Sequence, residues 1–169
     1  MTQDWRIRAG AICLSCSGDC CINAHPPISE PCYGRLLAGG VPDDAFGRDG
    51  YRSIRTRADG TCLFRDNGRC GIHDLKPETC RAGPFTFDVC GDTIGIFLKR
   101  KKICPLVGLL EEVPGAYDQQ YAVAVQSITR LVADLTEEEL AAICRIEEPD
   151  TEKIAEIPRI YPRSHDHRH

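Results

Sequence analysis

Apolar residues recur at helical spacing in one long stretch of the second half of the chain. Tyr121, Val125, Ile128, Leu131, Val132 and Leu135 share one face of a 3.6-residue period, which predicts an amphipathic helix over residues 117–135. Thr136 with Glu139 then reads as a capping box that opens a second helix, running to about Ile146. Upstream the period changes to two. Phe85, Phe87 and Val89 alternate with less apolar positions, Gly91-Asp92 turns the chain, and Ile94, Ile96 and Leu98 alternate back, which predicts a β-hairpin. Ser29 offers an N-cap for a helix over residues 30–38, and Gly39-Gly40 ends it.

Between these elements the pattern is shorter and more polar. Residues 51–57 are strand-like, Asp59-Gly60 reads as a hairpin turn, and residues 61–64 return as a second strand. Asp66-Asn67-Gly68 then turns toward Cys70. With those three residues as the loop, residues 64 and 70 pair, and Cys62 and Cys70 become diagonal neighbours on one face, about 7 Å apart at Cα. A two-residue loop would place them on opposite faces. Pro77 suits the first turn of a short helix that delivers Cys80 at its end. Residues 1–12 read as a polar lead-in from which Trp5 and Ile7 pack back. The whole predicts an α+β fold: a small metal-stapled domain of β-hairpins and cysteine-rich loops over residues 1–112, with C-terminal helices packed on it over 113–169 and a disordered tail that ends in alternating histidines.

Cysteine content changes this picture from a fold into a chemistry. The chain has 169 residues and 11 cysteines, with 42% hydrophobic residues and only one Trp and one Met. Cys13, Cys16, Cys20 and Cys21 fall within nine residues at neither helical nor strand spacing, with Gly18 allowing a tight turn between them. Packing asks for no such run, whereas a thiophilic metal needs several soft anionic ligands at one point. Cys20 and Cys21 are adjacent, and consecutive side chains of an extended chain diverge, so the doublet suggests two centres, a polynuclear cluster, or a ligand beside a structural thiol. A disulfide framework would need an oxidising compartment. Residues 1–8 carry no apolar signal-peptide core, so the expected location is cytoplasmic, where thiols stay reduced.

Cys32 and Cys144 lie in predicted helices and are assigned to packing, and Cys90 stands at a turn. His25 and His73 read as surface or hydrogen-bonding residues, although His73 follows Cys70 at a spacing a Cys-x-x-His pair would use. The net charge of −4 and pI of about 5.7 argue against bulk binding to nucleic acid or to an anionic membrane. The basic run Lys99-Arg100-Lys101-Lys102 reads as a solvated strand end. No glycine-rich nucleotide loop, Ser-His-Asp set or paired catalytic carboxylates are legible.

Set side by side, the cysteine-rich loop, Cys62, Cys70-x-Ile72-His73, Lys76-Pro77-x-x-Cys80-Arg81-x-x-Pro84-Phe85 and Cys104-Pro105 resemble the cysteine-cluster family of the YkgJ type. That family is described as chelating zinc or iron, and its pattern also occurs in flagellin lysine N-methylases. The resemblance spans about residues 13–106. Many members have two residues between the second cysteine and the doublet, where this chain has three. By position the resemblance implies Cys13, Cys16, Cys20, Cys21, Cys62, Cys70, Cys80 and Cys104 as metal ligands. Eight thiols are twice what one tetrahedral ion or one 4Fe–4S cluster takes. Two isolated zinc sites would each carry about −2 of charge, with Arg81 as the only motif cation to offset it, so an iron–sulphur cluster is the expected cofactor ahead of zinc. The expected function is a metal-binding cysteine-cluster protein with a redox or protein-modification, methylation-like role, partnered by a protein substrate or redox partner. The alternative is a zinc-stabilised structural or partner-binding module without catalysis.

Overall fold

The computed structural model describes residues 4–16, 21–147 and 150–161, and the fold is α+β. Six helices are described: α1 (Trp5–Ser15), α2 (Glu30–Ala38), α3 (Glu78–Ala82), α4 (Leu106–Glu112), α5 (Ala116–Asp134) and α6 (Glu137–Cys144). Three small antiparallel sheets accompany them. Strands β1 (Phe46–Arg48) and β2 (Arg52–Ile54) form one, β3 (Arg65–Asp66) and β4 (Arg69–Cys70) a second, and β5 (Phe85–Cys90), β6 (Thr93–Lys99) and β7 (Thr151–Pro158) the third, with β6 in the middle.

The expected hairpin and helices form where the pattern put them. In β5–β6, Phe85 faces Leu98, Phe87 faces Ile96 and Val89 faces Ile94 across the Gly91-Asp92 turn. Gly91 adopts φ +57°, which glycine tolerates without a Cβ penalty. Helix α5 buries Ala124, Ser127, Ile128 and Leu131, a stripe of i, i+3, i+4 and i+7 positions. Thr136 Oγ1 accepts from the Glu139 amide at 3.2 Å, and the Glu139 carboxylate accepts from the Thr136 amide at 3.0 Å, completing the capping box of α6. Helices α3, α5 and α6 all pack against β5, so the C-terminal helices cover the sheet. Ser29 caps α2 by accepting from the Cys32 amide at 3.3 Å.

Strand β7 has no clear alternation in sequence. A register shift opposite Ile96 and Phe97 breaks its period, so Ile154, Ala155 and Ile157 do not fall on a strict every-second-residue pattern. Pairing with β6 forms it, and this makes β6 a central strand whose Ile94 and Ile96 are fully buried.

The first residues are a helix rather than a lead-in. Asp4 caps α1 by accepting from the Arg6 amide at 3.1 Å. Trp5, Ala9 and Ile12 stand at i, i+4 and i+7 and pack into the main core, with the Trp5 Nε1 donating to Gln119 Oε1 at 2.8 Å. Ile7 lies about 200° around the helix from Trp5 and is 67% exposed, so it does not pack back.

The expected meander is also corrected. Of residues 51–57 only Arg52–Ile54 is strand, and it pairs with β1, a partner that the sequence reading did not contain. The Asp59-Gly60 turn is present, closed by the Arg57 amide donating to the Thr61 carbonyl and the Gly60 amide donating to the Arg57 carbonyl, but the return is a single bridge of Thr56 to Cys62. The next turn uses two residues, not three. Asn67 (φ +46°) and Gly68 (φ +77°) are both left-handed, and the register is Asp66 to Arg69 and Arg65 to Cys70. Left-handed Asn-Gly is the backbone that matches the twist of a tight hairpin, and it shifts the expected pairing by one residue. This region packs on a second core of Ile28, Cys32, Leu36, Val41, Ala45, Phe46, Ile54 and Ile72.

The burial of β6 sets a stability test. Ile96→Ala is expected to cost about 2–5 kcal/mol of unfolding free energy, as for a core side chain replaced by a cavity. Ile146→Ala, at a side chain 51% exposed, is expected to change it by no more than about 0.5 kcal/mol. Urea unfolding of both variants measures the difference, and equal effects would contradict a central β6.

Candidate metal centre

Helix α1 carries the first two thiols. Cys13 and Cys16 are one turn apart and share a side of the helix, with Cys16 as its C-cap, its amide donating to the Ile12 carbonyl at 2.9 Å. This end of α1 sits on the β3–β4 turn. A Cβ on Gly68 would lie 3.0 Å from the Leu14 carbonyl oxygen, so glycine permits the approach. Arg65 donates from Nη2 to the Cys16 carbonyl at 3.3 Å. Cys20, an expected ligand, lies outside the described residues.

The chain re-enters beside Cys62. The Cys62 amide donates to the Cys21 carbonyl at 2.7 Å, the Asn23 amide donates to the Gly60 carbonyl at 2.7 Å, and Ile22 bridges Thr61. In that antiparallel register Cys21 stands opposite Cys62, and facing residues of such a pair have Cβ atoms about 4.5–5.5 Å apart. The Arg65 amide then donates to the Cys62 carbonyl at 3.0 Å, closing a turn that takes Cys62 out of the β3 strand. For this reason the two-residue hairpin does not separate Cys62 from Cys70. Burial pushes the Cys62 thiol up, and the nearby Cys70 adds to it. The backbone N–H groups of Phe64 and Arg65, hydrogen bonding to the thiol, and the Arg57 guanidinium pull it down.

The remaining two expected ligands come from elements held in the main core. Cys80 lies on α3, which packs against α5. Its neighbour is Cys32 of α2. The Arg35 guanidinium donates to Glu78 Oε1 at 3.0 Å, and the Glu78 carboxylate, 3% exposed, hydrogen bonds with the Cys32 thiol. Burial above all, then the Glu78 charge, pushes the Cys32 thiol up to about 12, with Cys80 contributing and Arg35 opposing. Cys104 precedes Pro105, the N-cap of α4. Helix α1 packs against α4, with Arg8 donating to the Glu112 carboxylate at 3.0 Å.

The structure therefore sets Cys21 opposite Cys62, places Cys70 near Cys62, and ties the Cys16 end of α1 to the same hairpin. Cys80 and Cys104 belong to other elements, α3 and the segment that leads into α4. Among the described residues no three His, Cys, Asp or Glu side chains meet in ligating geometry. The donor set fits a thiophilic ion by its chemistry: the donors are sulphur, and His25 and His73 are exposed. Sequence reasoning counted Arg81 as the cation of the motif and missed Arg57 and Arg65. The signal was the flanking of Cys62 and Cys70 by Arg57, Arg65 and Arg69.

Residues 12–105 match the family model CxxCxxCC, described as "Putative zinc- or iron-chelating domain". The chain belongs to this family. It is the cysteine-cluster family that the thiol spacing resembles, and this CxxCxxCC chain is a metal-binding cysteine-cluster protein. The matched segment begins within α1 and ends at Pro105, so it contains all eight expected ligands and stops short of α4, α5, α6 and β7. No curated protein and no solved structure matches the chain. No described helix is long and apolar enough to cross a membrane.

The three cysteines outside the motif are expected to be dispensable. Cys32→Ser, Cys90→Ser and Cys144→Ser should each retain the metal content of the parent, measured by elemental analysis. In the native protein at pH 8, iodoacetamide should label exposed Cys90 and spare Cys32, whose thiol is buried and protonated. An emptied site in Cys90→Ser would place that residue among the ligands.

Proposed function

We propose that the CxxCxxCC thiols hold an iron–sulphur or other polynuclear thiolate-bound centre with a redox or protein-modification, methylation-like role. The observation that carries this reading is that Cys21 stands opposite Cys62 and Cys70 lies near Cys62, three chain segments in all, with the Cys16 end of α1 tied to the same hairpin. Such a concentration of thiols exceeds what a single ion in a loop needs, and Cys80 and Cys104 add to it. A bound iron–sulphur cluster would supply electron transfer.

Burial raises the Cys62 thiol, and features of the chain oppose that rise. Backbone N–H groups of Phe64 and Arg65 aim at the Cys62 sulphur, and hydrogen bonds to the charged form favour it. Arg57 places a permanent cation beside the same thiol. Strands β3 and β4 are two residues each, too short to be stable as an isolated hairpin, so the metal also staples this end of the fold. A redox or modification role needs a partner, and a protein substrate or redox protein fits it.

Anaerobic purification followed by iron, sulphide and zinc analysis tests the reading. The expected result is brown protein with acid-labile sulphide and more than one metal atom per chain. A colourless protein with one zinc and neither iron nor sulphide would overturn it in favour of a zinc-stabilised, non-catalytic module. Removal of the metal by a strong chelator is expected to lower the melting temperature by much more than about 2 °C, since structural metal sites contribute many kcal/mol.

A further inference from the structure

Arg65 touches three thiol-bearing positions at once. Its backbone amide donates to the Cys62 carbonyl at 3.0 Å and hydrogen bonds to the Cys62 thiol. Across the β3–β4 ladder it is paired with Cys70. Its half-buried guanidinium reaches the last turn of α1 and donates to the Cys16 carbonyl at 3.3 Å. Cys16 and Cys62 are far apart in sequence, and the segment that joins Cys16 to Cys21 includes residues outside the described ones. The Arg65 side chain and the approach of Leu14 to Gly68 are two contacts between the α1 end and this hairpin.

We propose that Arg65 is the positioning residue of the metal centre: it sets Cys16 against Cys62 and Cys70, so that these thiols serve one centre, and it offsets their charge. The proposal rests on the metal reading above. Its chemistry follows from the guanidinium. Arginine stays charged at every accessible pH and presents a planar fork of donors, so one group can both hold a carbonyl and lower the local potential. Several thiolates in one place repel, and a fixed cation beside them reduces that repulsion. Lysine would keep the charge and lose the fork. Glutamine would keep some hydrogen bonding and lose the charge. The two substitutions therefore separate position from electrostatics.

The test compares the full chain with Arg65→Gln, Arg65→Lys and, as a control, Arg69→Gln at an exposed position of the neighbouring strand. Metal content as purified is measured first. Each metal-free protein is then titrated with Zn²⁺ alone against a competing chelator, and its melting temperature is recorded. Partners that orient metal ligands typically change affinity by about 10–100-fold, so Arg65→Gln should bind Zn²⁺ at least about tenfold more weakly than the parent. Arg65→Lys should fall between them, and Arg69→Gln should match the parent. The metal-free forms of the parent and Arg65→Gln should melt within about 2 °C of each other, a shift smaller than a lost kcal/mol would give. Parental affinity in Arg65→Gln, with metal in the parent, would overturn the proposal and leave the metal reading standing. A matching loss of stability in the metal-free form would reduce Arg65 to a structural residue and overturn it too. A parent that neither carries metal nor binds Zn²⁺ would overturn the metal reading itself. If Arg65→Gln fails to fold, Arg65→Lys decides by the same comparison.

Discussion

The Cys62 amide donates to the Cys21 carbonyl, and on the other side of the Ile22–Thr61 bridge the Asn23 amide donates to the Gly60 carbonyl. On this short antiparallel contact depends the geometry of the thiol-rich end. It draws a segment from before α2 against one from after β2, so that two cysteines remote in sequence stand opposite each other. The Cys62–Arg65 turn then swings Cys70 to the same place. Each device is local and small, and neither has an apolar face of any size. Backbone hydrogen bonds of this kind contribute about 1 kcal/mol each, too little to order so many residues. Packing of Cys62, Phe64 and Cys70 on the smaller core adds to them.

The rest of the chain supplies the rigidity this end lacks. Helix α5 and strand β6 are the centre of the main core, and both elements that bring the distant cysteines are anchored to that core. Helix α3 packs on α5 and carries Cys80, while α4 packs against α1 and α5 and follows the Cys104-Pro105 pair. Two cores divide the work: the larger holds the sheet and the C-terminal helices, and the smaller holds α2 and the β1–β2 hairpin beneath the thiols. Cys32 belongs to the smaller one. Burial beside a carboxylate raises its thiol to about 12; burial raises the Cys62 thiol as well, but there backbone amides and an arginine oppose it.

Electrostatics reverses one expectation drawn from residue counts. The motif looked short of cations because attention fell on Arg81, the one basic residue embedded in its most recognisable stretch. Arg57 and Arg65 stand next to the thiols instead, delivered by turns whose geometry is not visible in a linear spacing. An acidic chain can thus hold a locally basic frame around sulphur ligands, and net charge says nothing about it.

Local rules sufficed for several elements. The β5–β6 hairpin followed from strict alternation around Gly91-Asp92, α5 from its 3.6-residue stripe, α6 from the Thr136–Glu139 box and α2 from Ser29, because each is specified by residues adjacent in sequence. Membership of a cysteine-cluster family was legible too, since it lives in residue identities and spacing. Tertiary structure alone decided the rest. Strand β7 exists because β6 offers an edge to pair with, and its own pattern is broken by a register shift. Helix α1 was hidden because its Cys13 was read with the loop that follows, although Trp5, Ala9 and Ile12 marked its buried side. The Asn67-Gly68 register turned on two left-handed residues, a choice between turns that the sequence allowed and only the backbone resolved. Which thiols stand together was beyond any spacing rule, because it depends on contacts among segments separated by dozens of residues, and those exist only once the chain is folded.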